Sequence, residues 1–286
     1  MRRTLKEKAD IVSGRYTVPE LEEIARRVRV DILKMLNHAK SGHSGGSLSA
    51  VEILVSLYFS VMNHKPGDPY WKERDRFILS KGHAAPLLYA VLAHCGYIPK
   101  EELFTLRQIG SRLQGHPHGG SIPGVDVSTG SLGQGLAMGN GMALGLRLDC
   151  SPARVYVLLG DGEIQEGMIW EAAMAAAHHK IDNLCAILDN NGLQIDGAVA
   201  SVMCIEPVAD KFRSFGWEVL VVDGHDIAEI TRALKDTKAV RGKPSIIIAK
   251  TVKGKGVSFM EGKFQYHGLP PTDEELVRAL KELGEK

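Results

Sequence analysis

An acid stands between two glycines where an apolar run must end. RVYVLL (154–159) is followed by GDGEIQEG, which puts Asp161 just past a buried strand. The next such run, LCAILD (184–189), is followed by Asn190 and Asn191. A carboxylate, a side-chain amide and a nearby main-chain carbonyl form a hard oxygen set. Such a set suits magnesium or calcium, with substrate phosphate completing the shell. Gly162 removes a side chain where backbone must approach a phosphate. The helix after the loop can turn its N-terminus toward the same anion. Taken singly, Asp161 reads as a tight turn and Asn191 as an Asx-turn. Their placement at successive strand ends favours the joint reading, because open α/β sheets bind ligands just outside the carboxyl ends of their strands.

A second kind of chemistry is available from imidazoles. Four of the 11 histidines lie in glycine-flanked segments: SGHSGGSLS (His43), SKGHAAP (His83), LQGHPHGG (His116) and QYHGLPP (His267). A histidine beside glycine is presented with little cover, where it can donate to a sugar hydroxyl, move a proton near neutral pH or pair with a diphosphate. Each alone could equally satisfy a local turn. His225, in DGHD, reads as a structural turn at a helix start, and His178 and His179 read as packing or interface residues. His38, His64, His94 and His118 carry no functional claim.

The elements that must position these groups are legible. PELEEIARRVRVDILKMLNHAK sets Leu21, Ile24, Val28, Ile32, Met35 and Leu36 on one helical stripe, with Pro19 in the first turn. AVEILVSLYFSVM is expected to be a helix capped by a Ser49–Glu52 box, and AAPLLYAVLAHC a helix closed by Gly96. GQGLAMGNGMALGLRL holds glycines at 133, 135, 139, 141 and 145, so a helix there requires something packed very closely against it. From RVYVLL onward strands and helices alternate through EGMIWEAAMAAAHHK, LCAILD, DKFRSFG, EVLVV, DIAEITRALKDT and SIIIAKT. The tail PTDEELVRALKELGEK is a helix with a Thr272–Glu275 box. The pattern predicts an α/β fold: an open, mostly parallel sheet with helices on both faces, in one domain over 1–286 with an N-terminal helical portion.

At this point the text resembles a known family. GDG, 27 residues, then NN resembles the thiamine diphosphate motif, and GDGEIQEGMIWEAAMAAAHHKIDNLCAILDNNGLQIDG is similar specifically to transketolase. The resemblance implies that Asp161 and Asn191 give side-chain oxygens, and Leu193 its carbonyl, to Mg2+ or Ca2+, with Gly162 and Asn191 against the diphosphate. It implies that His43 and His267 face the reacting carbon, with His267 also near the diphosphate, that His83 contacts the cofactor and that His116 contacts a substrate hydroxyl. STGSLGQG matches the family's cofactor loop, placing Gly130, Ser131 and Leu132 against the cofactor. A dinucleotide fingerprint is the competing reading of these glycines, but none forms G-x-G-x-x-G after a clear strand. Glu166 matches an interface glutamate, and equally a helix-start carboxylate. Ser44 and Ser131 stand where many full-length relatives have proline, and His118 where they often have glutamate, so acceptor-sugar detail does not carry across.

In transketolases the glutamate that activates the cofactor, and most phosphate-gripping arginines, lie in a second, pyrimidine-binding domain. The resemblance covers the first half only. It implies the N-terminal subunit of a split transketolase, inactive alone and completed by a C-terminal subunit, as an α2β2 assembly acting on sugar phosphates. The alternatives are the α subunit of a 2-oxo acid dehydrogenase, half of a deoxyxylulose phosphate synthase, or a non-catalytic regulatory paralogue.

Bulk composition sets outer bounds. The 286 residues are 44% hydrophobic and 24% charged, with a net charge of +1, which excludes a global basic field for nucleic acid and permits self-association. The basic opening MRRTLKEK lacks a following apolar core, and the apolar runs read as too short for a bilayer span. Cys95, Cys150, Cys185 and Cys204 are widely spaced and read as buried free thiols of a reducing, cytoplasmic compartment.

Overall fold

A computed structural model describes residues 16–285; MRRTLKEK and Lys286 lie outside them. In chain order the helices are α1 (Val18–Ala39), α2 (Ser44–Leu48), α3 (Val51–Ser56), α4 (Ala85–Cys95), α5 (Gln134–Leu148), α6 (Gly167–His178), α7 (Val199–Val202), α8 (Val208–Ser214), α9 (Ile227–Thr237) and α10 (Asp273–Glu282). The strands are β1 (Arg76–Leu79), β2 (Val155–Gly160), β3 (Leu184–Asn190), the short β4 (Leu193–Gln194) and β5 (Gly197–Ala198), β6 (Glu218–Asp223) and β7 (Ser245–Lys250).

Runs without polar alternation need cover on both faces. The sheet provides it: five parallel strands in the order β1-β2-β3-β7-β6, with β2 buried throughout. Successive side chains point to opposite faces. Tyr156, Leu158, Cys185, Ile187 and Ile247 join a core with α1, α3, α4 and α9. Val155, Val157, Leu159, Leu184, Ala186 and Ile248 join a second core with α5, α6 and α8. The close packing expected on the glycine-rich helix occurs at two points of α5. A Cβ on Gly135 would lie 2.3 Å from the Ser80 Oγ, and one on Gly139 2.7 Å from Val157. Gly141 and Gly145 have nothing within 4 Å and face outward, so close packing does not explain them.

Helix ends follow the sequence with one correction. Thr272 and Glu275 cap α10 reciprocally, and Gly96 ends α4 with φ 90. The expected Ser49–Glu52 box is absent. Ser49 Oγ donates instead to Asp189 (2.6 Å), with the Gly46 carbonyl 3.2 Å away, and Glu52 takes Arg29 (2.6 Å). A buried carboxylate is a stronger acceptor for a hydroxyl than a neutral helix end.

Two further expectations change. Ser44–Val61 is by length and composition apolar enough to cross a membrane, against the reading that the apolar runs were too short, yet all of it is buried inside the protein. Cys150 and Cys204 are exposed rather than buried, because both fall in connections beyond the core; Cys95 and Cys185 are buried as expected. His225 is structural as read: its Nε2 accepts from the Val252 amide (2.8 Å), and its Nδ1 lies 3.0 Å from Glu52.

Candidate active site

Four strands end on one rim, and each delivers charged groups there. Register pairs Gly160 of β2 with Asp189 of β3, so the residues just beyond, Asp161 and Asn191, are neighbours across 30 positions of sequence. Ser80 and Lys81 follow β1, and Thr251 and Lys253 follow β7. Above this rim lies a cavity of about 320 Å³. It is lined by His43, His83, His116, Gly130, Leu132, Asp161, Gly162, Asn191, Leu193 and His267, among others. Ser131 is not on that wall; it is exposed, and its hydroxyl accepts from Gln134 (3.1 Å). The helix after GDG starts only at Gly167, because a short turn, Glu163–Gln165, intervenes.

The floor is a network of buried acids. Asp161 is 3% exposed and accepts from the amides of Gly162 (2.8 Å) and Gly192. Burial, with Asp189 close by, pushes its carboxyl up to about 6 despite those bonds. Asp189 is fully buried and bonded to Lys81, Ser49 and Thr251, while Asn191 Nδ2 approaches it at 3.3 Å. Burial alone would raise Asp189, but Lys81 and the two hydroxyls outweigh it and hold the carboxyl below its ordinary range. Asn191 Oδ1 accepts from the Leu193 amide (3.1 Å), which fixes the amide's orientation. Glu163, also buried, accepts from Ser80 and from the Gly133 and Gly160 amides, tying the SKGH, TGSLG and GDG segments together.

Among the described residues, Lys253 has no carboxylate in contact. Its ammonium donates to the Leu193 carbonyl (2.9 Å), and burial, with Lys81 nearby, lowers it to about 8. Lys81, Asp189, Lys253 and Glu163 escaped the sequence reading. The available signal for the lysines was position: each stands within three residues of a strand end on the same rim.

The opposite wall is imidazole. The His43 ring lies 5.3 Å from His83, 5.5 Å from His267 and 6.4 Å from His116, and His83 lies 5.0 Å from His267. Burial and the neighbouring cations lower all four: His43 to about 4 and His267 to about 3, with His83 and His116 also below the ordinary value. The wall is therefore neutral at pH 7. His267 Nδ1 is buried with no protein partner. The arrangement offers hydrogen-bond donors and acceptors above a floor of buried carboxylates and lysines.

The comparisons agree with this geometry. The family described as "Transketolase, thiamine diphosphate binding domain" matches residues 21–286. The 6-deoxy-6-sulfo-D-fructose transketolase subunit SqwG of Clostridium sp. (strain MSTE9) is 46% identical over 92% of this chain and 96% of that protein. An apulose-4-phosphate transketolase subunit of Phocaeicola vulgatus is 42% identical over 94% of this chain and 95% of its own. The crystal structure of transketolase from Campylobacter jejuni superposes with a TM-score of 0.89 at 36% identity, covering 95% of this chain but 44% of that one. The covered part is thus less than half of the Campylobacter transketolase chain, but nearly the whole of the two proteins named as transketolase subunits. This chain belongs to the family of transketolase N-terminal, thiamine diphosphate-binding domains.

Proposed function

We propose that this chain is the N-terminal subunit of a split transketolase. With metal-bound thiamine diphosphate it transfers a two-carbon ketol unit from a ketose phosphate to an aldose phosphate, once a C-terminal subunit completes the site. The observation that carries the reading is the cavity itself, an oxygen clamp facing four neutral histidines.

The residues present fit the cofactor and its metal. Among the described residues no group of three His, Cys, Asp or Glu side chains could hold a metal alone. One carboxylate, one amide and one carbonyl leave positions that diphosphate oxygens fill, which is the habit of a hard cation bound with a phosphate ligand. The raised Asp161 carboxyl is a buried acid for which a bound Mg2+ or Ca2+ supplies the missing positive charge. The orphaned His267 Nδ1 awaits a polar partner.

When bound, thiamine diphosphate supplies the electron sink for breaking and making the carbon–carbon bond. This chain supplies geometry and proton handling. Asp161, Asn191 and the Leu193 carbonyl would hold the metal, the carbonyl giving up its bond from Lys253 to do so, and Lys81 and Lys253 would set positive charge beside the diphosphate. Gly162 would shape the diphosphate's bed, Gly130 and Leu132 would lie against the cofactor with Ser131 beside them, and His83 would contact the cofactor. His43, His116 and His267, neutral in the resting site, would orient substrate hydroxyls and move protons at their oxygens.

The partner is a separately encoded pyrimidine-binding half, in an α2β2 assembly, and the compartment is the cytoplasm. The related subunits are named for a sulfonated and for a phosphorylated sugar. A substrate panel should therefore carry both anionic classes. The test is ketol transfer by the chain alone and with its C-terminal subunit, in the presence of thiamine diphosphate and magnesium. Turnover is expected only with both chains; full activity of the single chain sinks the proposal.

A further inference from the structure

One arginine lies against the glycines that precede two of the histidines. Arg107 has φ 60, a left-handed conformation rare for its type, held by its amide donating to the Leu113 carbonyl (2.9 Å). Its guanidinium Nη1 donates to Ser41 Oγ (2.9 Å), and Nη2 lies 3.5 Å from His43 Nδ1. A Cβ on Gly115 would lie 3.0 Å from three guanidinium atoms, and one on Gly42 3.9 Å from Nε. The planar group therefore sits between Gly42–His43 and Gly115–His116.

We propose that Arg107 is a positioning residue, whose guanidinium spans these two glycine–histidine pairs and fixes His43 as the tautomer with a bare Nδ1 and a protonated Nε2. Guanidinium has five donors and no acceptor. Its approach to Nδ1 is favourable only when that nitrogen carries a lone pair. The other groups that act on His43 are His83, His116, His267, Lys81 and Lys253, none of them a carboxylate that would draw a proton to Nδ1. Nε2 is on the opposite edge of the ring, 3.9 Å from where a Gly268 Cβ would stand, on the side of His267. In this tautomer His43 presents an N–H to an oxygen in the cavity and is a donor, not a base, in the resting site.

The tautomer does not depend on the proposed activity, and the kinetic arm rests on it. Histidine 15N chemical shifts of the full chain near pH 8, with His43 assigned from a His43→Gln variant, are expected to show Nε2 protonated and Nδ1 bare. Arg107→Met should populate the Nδ1–H form, and Arg107→Lys should retain part of the original signature. In the complex with the C-terminal subunit, Arg107→Met should lower kcat by about tenfold or more through lost orientation, with thiamine diphosphate affinity unchanged within about twofold. An Nδ1–H tautomer in the unmodified chain overturns the proposal, needing no variant. An unchanged tautomer in a folded Arg107→Met overturns it too. If the unmodified complex shows no turnover, the functional reading fails while the 15N shifts still decide the role of Arg107.

Discussion

The floor and the histidine wall of one cavity solve opposite electrostatic problems. The floor keeps charge in a buried place: Asp189 is ionised because Lys81 and two hydroxyls surround it, and Asp161 is held by backbone amides. The wall keeps charge out. Burial next to Lys81, Lys253 and Arg107 lowers His43, His83, His116 and His267. The floor is rigid because removing any partner strands an ion. The wall is tethered lightly, His43 by one long contact and His267 Nδ1 by none. Changes in the floor should therefore appear first as lost stability, and changes in the wall as altered proton chemistry in a folded chain.

The largest effect should come from splitting the buried pair. Lys81→Met leaves Asp189 ionised and uncompensated, which costs about 3–5 kcal/mol. The double variant Lys81→Met/Asp189→Leu should recover most of that, since apolar replacement of a whole buried pair is often near neutral. Urea unfolding of the four chains of the cycle reads this directly. A double variant no more stable than Lys81→Met would mean that the rim is held by something other than this pair.

Asp161 makes the same comparison through pH. Its folded value of about 6 lies above the ordinary 3.8, so the folded chain binds the proton more tightly than the unfolded one. Ionising it therefore lowers stability as pH rises from about 4 to about 6, by up to about 3 kcal/mol. Asp161→Asn has a fixed cost, because one of two amide bonds is lost, but no such slope. Between pH 4 and pH 7 the stability difference should move toward the variant by up to about 3 kcal/mol. Parallel stability–pH curves would refute the raised carboxyl. Saturating Mg2+ with thiamine diphosphate should stabilise the natural chain and not the variant.

The legibility of the two regions differed for the same physical reason. The sheet was readable because runs such as SIIIAKT, lacking polar alternation, admit only a doubly covered strand. GDG and NN were readable because one strand–helix–strand unit brings them together, and the Thr272–Glu275 cap because its partners are three residues apart. The Ser49 cap failed because a competing acceptor, Asp189, lies 140 positions away. Lys81, Lys253, Glu163 and Arg107 were hidden likewise: each gains its meaning from segments far off in the chain. The histidines were an intermediate case. Their glycine neighbours marked them, but only family resemblance joined four separate segments into one wall.

The wall should respond to pH with the opposite sign. A histidine lowered in the fold contributes stability fully present above about 6.5, and loses it as pH falls toward about 4 for His43 and about 3 for His267. The effect per group is smaller than for Asp161, since these rings line an open cleft and water moderates them. At these four rings stability is therefore lost as pH falls below about 6.5, while the raised carboxyls of Asp161, Asp75 and Glu163 work in the other direction. His43→Gln and His267→Gln should each flatten that loss. If the natural chain and these two variants lost the same stability from pH 7 to pH 4.5, the neutral wall would be contradicted.

The smallest expected effect separates stability from proton placement most cleanly. Gly115→Ala would set a methyl 3.0 Å from the Arg107 guanidinium, and that group is the far end of a flexible, exposed side chain. It can move aside, so the stability change should stay within about 0.5 kcal/mol. Gly130→Ala is a useful contrast, because φ +140 and the His116 ring at 3.1 Å strain the backbone as well. A guanidinium displaced by the new methyl no longer spans Ser41 and His43, so the His43 15N signature should shift toward a tautomer mixture while thermal unfolding barely changes. If both stayed constant, the fit of Arg107 against Gly115 would be packing without consequence for the wall. If unfolding moved and the tautomer did not, the division between a rigid floor and a lightly tethered wall would be wrong at this point.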